Sequence, residues 1–222
     1  MLKELTENVG AVLALAGDPP RGLAAQLAKQ CLSGGKKPLI VAADGGALHL
    51  RELGLTPDAI LSDGDSLAPE LFPAVRRVDY PRAKDFTDGE AALIYTAENS
   101  RGDILILGAL GKELDHELAN ICLPLLLGAE AERCLLAGSD MLAGYCLGST
   151  VICGSPGDRV SLLPLGDKAE GISLSGMVYG LENYDLPLGS SRCIRNELAE
   201  TQASVTVKKG RLLVLHYPQD LS

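Results

Sequence analysis

The stretch Pro38-Leu39-Ile40-Val41-Ala42-Ala43-Asp44-Gly45-Gly46 decides how the first part of the chain is read. An apolar run with no polar alternation describes a strand covered on both faces, the pattern of a parallel sheet flanked by helices. Asp-Gly-Gly then breaks the run, and Ala47–Leu53 carries a helical pattern. The same strand, turn and helix order recurs on either side. Val9–Ala16, Ala59–Leu61, Arg76–Asp79, Asp103–Leu107 and Arg133–Ala137 read as strands, and Leu23–Leu32, Glu90–Glu98 and Leu114–Leu126 as helices. This alternation predicts a doubly wound, mostly parallel, Rossmann-like α/β domain.

After about residue 145 helical periodicity stops. Short strands recur between turn signals such as Gly154-Ser155-Pro156-Gly157: Thr150–Cys153, Arg159–Leu163, Ile172–Leu174, Ala203–Val207 and Arg211–His216. Val205, Val207, Leu213 and Leu215 fall at period two, which predicts a closing hairpin. The expectation is an α/β catalytic domain over residues 1–142 followed by a small all-β sandwich over 143–222.

Composition narrows the function. The chain has 222 residues, 46% hydrophobic and 22% charged, within the globular range. Lys plus Arg number 20 against 29 Asp plus Glu, a net charge of −9. Such a surface repels a phosphate backbone, so nucleic acid is not the expected partner. An anionic small substrate would need a cation between itself and the protein. The six cysteines form no C-x-x-C pair, which excludes a zinc knuckle and predicts reduced, buried thiols in a cytoplasmic protein. Val9–Gly17 is apolar, but Lys3 is offset by Glu4 and Glu7, so the reading is a buried first strand rather than a signal peptide. No apolar run approaches the ~18 residues of a membrane span.

Three polar or glycine-rich turns directly follow predicted strands: Asp44-Gly45-Gly46, Ser62-Asp63-Gly64-Asp65-Ser66 and Gly108-Ala109-Leu110-Gly111. Ligands in open α/β sheets bind outside the carboxyl ends of the strands, so these turns converge on one crevice. Asp63 and Asp65 flank a glycine; two carboxylates ~4 Å apart repel by roughly 4 kcal/mol at an effective dielectric of 20. Such a pair calls for a hard divalent cation such as Mg²⁺ or Ca²⁺, although a solvated Asx-rich turn that caps the next helix through Ser66 gives the same spacing. Lys84-Asp85-Phe86-Thr87-Asp88-Gly89-Glu90 contains a capping box, Thr87-x-x-Glu90, which opens a helix. Asp88 in its first turn complements the helix dipole, while free amides and Lys84 suit a phosphate. Gly111-Lys112-Glu113-Leu114-Asp115-His116 opens another helix, with the predicted apolar face Leu114, Leu118, Ile121 and Leu125 leaving Asp115, His116 and Asn120 off that stripe. His49 and His216 have no comparable sequence neighbourhood. No P-loop or G-x-G-x-x-G occurs, so a nucleotide site here follows neither common cradle.

Taken together, these motifs resemble the thiamine pyrophosphokinase (thiamine diphosphokinase) family. The resemblance rests on Asp44-Gly45-Gly46, Pro57-Asp58 through Asp63-Gly64-Asp65-Ser66, Lys84-Asp85-Phe86-Thr87-Asp88, and Gly108 through Asp115-His116 with Asn120. Gly171–Leu174, Gly176–Leu181 and Ser190-Ser191-Arg192-Cys193-Ile194-Arg195-Asn196-Glu197 resemble the family's thiamine-binding segment. The chain departs from the pattern at Ser62, usually Gly, Gly64, commonly bulky, Glu113, often Arg, and Arg195, typically Ser.

The resemblance implies transfer of the diphosphate of ATP to the hydroxyl of thiamine, releasing AMP, by a homodimer with its active site near the subunit interface. It implies Mg²⁺ held by Asp63, Asp65, Asp88 and Asp44. ATP and its phosphates would meet Asp44, Gly45, Lys84, Thr87, Gly108, Gly111, Asp115 and His116, with Asp65, Asp85 and Asp88 as catalytic residues. Thiamine would meet Ser190, Ser191, Asn196 and Asp65. A pyrophosphokinase for another hydroxyalkyl heterocycle, such as a pterin, and a non-catalytic thiamine- or nucleotide-sensing module are the alternatives.

Overall fold

A computed structural model describes residues 8–33, 37–63, 71–81 and 85–219. The chain divides into two compact units, one ending at Ser139 and the other beginning at Asp140.

In the first unit a parallel sheet has the order β6-β5-β1-β2-β3-β4, from Val9–Ala14 (β1), Leu39–Ala43 (β2), Ala59–Ser62 (β3), Arg76–Asp79 (β4), Asp103–Leu107 (β5) and Cys134–Ala137 (β6). Ala11, Val12, Leu13 and Ala14 are all 0% exposed. Successive strand side chains point to opposite faces, so both faces of β1 are covered. The helices are Gly22–Ser33 (α1), Gly46–Glu52 (α2), Asp88–Asn99 (α3) and Leu114–Cys122 (α4). Asp58, from the Pro-Asp motif, starts β3 by tying it to β2: its amide donates to the Ile40 carbonyl at 2.7 Å and its carboxylate accepts from the Ile40 amide at 2.9 Å.

Two sequence expectations are corrected here. The helix read as Leu114–Leu126 ends at Cys122 and continues as 3₁₀ turns over Leu123–Arg133. Pro124 lacks the amide an α-helix needs, and Gly128, at φ 60°, interrupts the turns themselves. The predicted apolar face Leu114, Leu118, Ile121 and Leu125 is not buried as expected: Leu114 and Leu118 are exposed, at 68% and 55%, and Ile121 and Leu125 are half-buried.

The second unit holds two antiparallel sheets. One has the order β12-β9-β14-β7, from Leu142–Cys146 (β7), Arg159–Pro164 (β9), Asn196–Glu197 (β12) and Leu212–Tyr217 (β14). The other has the order β11-β10-β13-β8, from Ser149–Cys153 (β8), Lys168–Ser175 (β10), Leu181–Pro187 (β11) and Gln202–Thr206 (β13). The core includes Ile152, Val160, Leu162, Ile172, Leu186, Leu198, Val205, Leu212 and Val214. The predicted closing hairpin is not formed. β13 pairs with β8 and β10, whereas β14 pairs with β7 and β9 in the other sheet. The period-two signal was right for each strand alone, but Leu212 and Val214, not Leu213 and Leu215, belong to the core cluster.

His216 gains a partner that the sequence concealed. Its Nε2 lies 2.9 Å from Asp158 Oδ2, and both side chains are 2% exposed. Asp158 also accepts from the amides of Ser155, at 2.9 Å, and Gln219, at 2.8 Å. Burial opposes ionisation of Asp158, yet these donors and His216 outweigh it and hold the carboxyl below its ordinary range. Burial pushes the His216 imidazole down, against the pull of Asp158, so the ring favours its neutral form.

Candidate functional site

Chain order carries β1 to β4 outward on one side, and β5 and β6 fall on the other. That makes β1/β5 the point where the winding reverses, the usual crevice of an open α/β sheet. A cavity of about 640 Å³ opens there, lined by Leu15, Ala16 and Gly17 after β1, Ala43 at the end of β2 and Asp44 just beyond it, the Thr87-Asp88-Gly89 start of α3, and residues of the β5–α4 connection and α4.

Each wall has a local cause. Asp44 leaves β2 with φ 44°, and its amide bonds the Leu61 carbonyl at 2.9 Å, placing it beside the end of β3. Its Oδ1 is buried without a hydrogen-bond partner. Gly46 lets α2 start hard against β1: a Cβ there would meet the Ala14 carbonyl oxygen at 2.1 Å. From α2, buried His49 reaches the Gly17 carbonyl at 2.9 Å, so it fixes the end of β1. Thr87 caps α3 as its spacing predicts, with Oγ1 accepting from the Glu90 amide at 3.1 Å.

The β5–α4 connection turns at Gly108, φ 63°, and Gly111, φ 83°. A side chain at Gly111 would collide with the Asp18 carboxylate, 2.1 Å from the nearest oxygen. Asn120 returns to the connection, donating to the Ala109 carbonyl at 3.0 Å. His116 Nδ1 lies 3.0 Å from Glu113 Oε2 and 3.3 Å from Asp115 Oδ1, all on exposed side chains.

Of the residues expected at the nucleotide, Asp44, Thr87, Gly111 and His116 line the cavity, as does Asp88, expected at the metal and in catalysis. Gly45, Gly108 and Asp115 belong to the same turns without being among its lining residues. Half-buried Asp63 follows β3, while Asp85 is exposed just ahead of α3. Asp65, with Gly64 and Ser66, and Lys84 lie outside the described residues. Among the described residues, Asp44, Asp63 and Asp88 do not form a group of three within 4.8 Å; Glu113, Asp115 and His116 do. An all-oxygen donor set nevertheless suits a hard divalent ion, and the partnerless buried oxygen of Asp44 is a donor of that kind.

In the second unit, Ser190, half-buried, accepts from the Arg192 amide at 3.3 Å, and Ser191 is exposed. Asn196 is buried. Its amide spans Tyr179, accepting from that residue's N–H at 3.0 Å and donating to its carbonyl at 2.8 Å, with a further contact to Met177 Sδ at 3.5 Å. Asn196 also lines a cavity of about 270 Å³ with Tyr179, Leu181, Arg192 and Arg195.

The description of thiamin pyrophosphokinase matches twice and in order: its catalytic domain over residues 33–134 and its vitamin B1 binding domain over residues 152–212. The chain belongs to the thiamine pyrophosphokinase family. The *Bacillus subtilis* thiamine pyrophosphokinase is 28% identical over 185 residues, spanning 80% of this chain and 86% of that one. Thiamine pyrophosphokinase 1 of *Oryza sativa* subsp. japonica is 26% identical, spanning 78% and 69%. The crystal structure of the *Geobacillus thermodenitrificans* thiamin pyrophosphokinase superposes with a TM-score of 0.79 at 25% identity, covering 95% of this chain and 98% of the other. The family's catalytic match contains the whole of the cavity except Leu15, Ala16 and Gly17.

Sequence reasoning missed those three residues, and also Lys112 and Ala119. The signal is present in the sequence: Val9–Ala16 reads as a strand, and Gly17 follows it as the other three turns follow theirs.

Proposed function

We propose that this chain transfers the diphosphate of ATP to the hydroxyl of thiamine. The thiamine hydroxyl oxygen attacks the β-phosphorus and loses its proton to the medium, the bond from that phosphorus to the α–β bridging oxygen breaks, and AMP leaves with the bridging oxygen. One observation carries the reading: all but three of the residues lining the switch-point cavity lie in the segment that matches a thiamin pyrophosphokinase catalytic domain, and the segment beyond it matches a vitamin B1 binding domain.

Transfers of this type depend on alignment and charge stabilisation rather than covalent catalysis. The cavity is within the ~300–1,000 Å³ usual for small-molecule sites, and its Asp44, Thr87 and Asp88 walls come from three separate elements. Asp44, Asp63, Asp65 and Asp88 would hold Mg²⁺, which when bound offsets phosphate charge. Asp65 and Asp85 are the candidates for orienting the attacking hydroxyl, and the start of α3 offers its free amides to an anion. On the thiamine side, Ser190 and Ser191 would contact the substrate, while Asn196 holds the Tyr179 backbone in place. The net charge of −9 favours approach of the cationic thiazolium.

Two finer statements join the proposal. Homodimerisation would cover Leu114 and Leu118, which α4 leaves exposed. A cytoplasmic location agrees with six free cysteines; among the described residues no helix is long and apolar enough to cross a membrane.

The decisive assay incubates the protein with ATP, Mg²⁺ and thiamine and resolves the products. Thiamine diphosphate with stoichiometric AMP is expected. ADP in place of AMP, or no turnover with thiamine, overturns the assignment.

A further inference from the structure

Among the described residues, four other than glycine hold a left-handed backbone: Asp44 at φ 44°, Lys112 at 62°, Asn183 at 49° and Arg195 at 60°. Asp and Asn tolerate that region because their short polar side chains bond locally; a lysine has no such compensation. Strain of this kind persists where the surrounding structure fixes it, and it concentrates at ligand sites. Lys112 is such a residue, and it lines the switch-point cavity.

Its charge is distinctive there. Lys112 is the sole Lys or Arg among the described lining residues. The next residue, Glu113, has the wrong sign for a phosphate and lies against His116. The lysine ammonium donates to the carbonyl of Ala16, at the end of β1, and no carboxylate among the described residues pairs with it. Its stem therefore joins the β5–α4 connection to the segment after β1, two neighbouring walls of the cavity that also share backbone hydrogen bonds, Gly17 to Gly108 and Asp18 to Leu110, each at 2.8 Å. A neutral carbonyl is a weaker partner for an ammonium than an anionic oxygen.

We infer that Lys112 is the residue that grips the polyphosphate of the nucleotide, its ammonium exchanging the Ala16 carbonyl for a phosphate oxygen. This rests on reading the cavity as the ATP site. The chain thus supplies a phosphate-binding cation from position 112, ahead of the helix start at which Glu113 stands. The left-handed backbone holds the side chain at the cavity wall, and the contact depends on charge rather than on the adenine or ribose.

The test compares Lys112→Gly, Lys112→Arg and Ala119→Trp with the unaltered protein by calorimetric titration of ATP and of adenosine, without thiamine. Glycine accepts φ 62° freely, so the fold and melting temperature should hold. Loss of a charge-assisted contact should weaken ATP binding about 10- to 100-fold. Adenosine affinity should not change, and Lys112→Arg should retain most of the ATP affinity. In turnover assays Lys112→Gly should raise the KM for ATP by a similar factor. Ala119→Trp fills the cavity and should abolish binding of both ligands. If Ala119→Trp binds ATP normally, the cavity is not the nucleotide site and both readings fall. If it abolishes binding while Lys112→Gly keeps full ATP affinity, or loses adenosine and ATP equally, the role of Lys112 alone is overturned.

Discussion

Gly46→Ala sets two known effects against each other. Gly46 is the first residue of α2, and alanine is favoured over glycine in helices by up to ~1 kcal/mol. An added Cβ, however, would sit 2.1 Å from the Ala14 carbonyl oxygen and 2.6 Å from its carbon. Both are backbone atoms of a strand that is 0% exposed at Ala14, so no side chain can turn away. Reaching ordinary contact requires a shift of more than an ångström between α2 and β1. Overpacking of this sort costs about 1–3 kcal/mol, and a rigid backbone partner points to the upper end, so the steric term wins. The displaced helix also carries His49, whose ring fixes the Gly17 carbonyl beside the cavity. Chemical denaturation should therefore show a net loss of about 1–2 kcal/mol. Turnover should show a raised KM for ATP. Gly148→Ala is the control, because nothing lies within 4 Å of a Cβ there. Stability of Gly46→Ala equal to that of the control would refute the close approach of α2 to β1.

Asp44→Asn keeps a residue that tolerates φ 44° while removing the charge, so circular dichroism should be unchanged and kcat should fall about 10²–10³-fold; near-normal turnover would remove Asp44 from the active site. Asn196→Ala deletes both hydrogen bonds to Tyr179 inside a buried site and should cost about 2–3 kcal/mol in urea denaturation. Stability should also fall on acidification. The folded-state pKa of His216 lies below its ordinary 6.5, so its contribution is complete above 6.5 and is lost as pH drops below it. Asp158, held below 3.8, adds a second loss at still lower pH. Melting temperatures measured from pH 8 to pH 3 should decline in that order, and His216→Phe should flatten the first step.

How far the sequence reaches depends on what each segment buries. Continuous apolar runs such as Asp103–Leu107 gave their strands directly, because a strand covered on both faces has no alternation to confuse. Leu181–Pro187 is an edge strand with one buried residue, Leu186, so its polar sequence carried no strand signal. The two-residue β12 is too short to show any pattern. Pairing was less legible than strand position, since period two identifies a half-buried strand but not its neighbour. That is why β13 and β14, adjacent in sequence, carry the pattern of a hairpin they do not make. At the site, turns after strands and the Thr87 cap were readable from local chemistry. The Asp158–His216 pair, 58 residues apart, and the span of Lys112 to Ala16, 96 residues apart, are products of tertiary folding alone.

The place of β14 also bears on synthesis. It lies between β7 and β9, yet it is the last strand among the described residues. The parallel sheet has all its strands once Ala137 has left the ribosome, and nascent domains generally fold as they emerge. The sheet built around β14 must wait until Tyr217 is out, with β7 and β9 holding unfilled edges meanwhile. A stalled or prematurely terminated product would thus display those open edges to other nascent chains, making this half of the molecule the one that calls for chaperones.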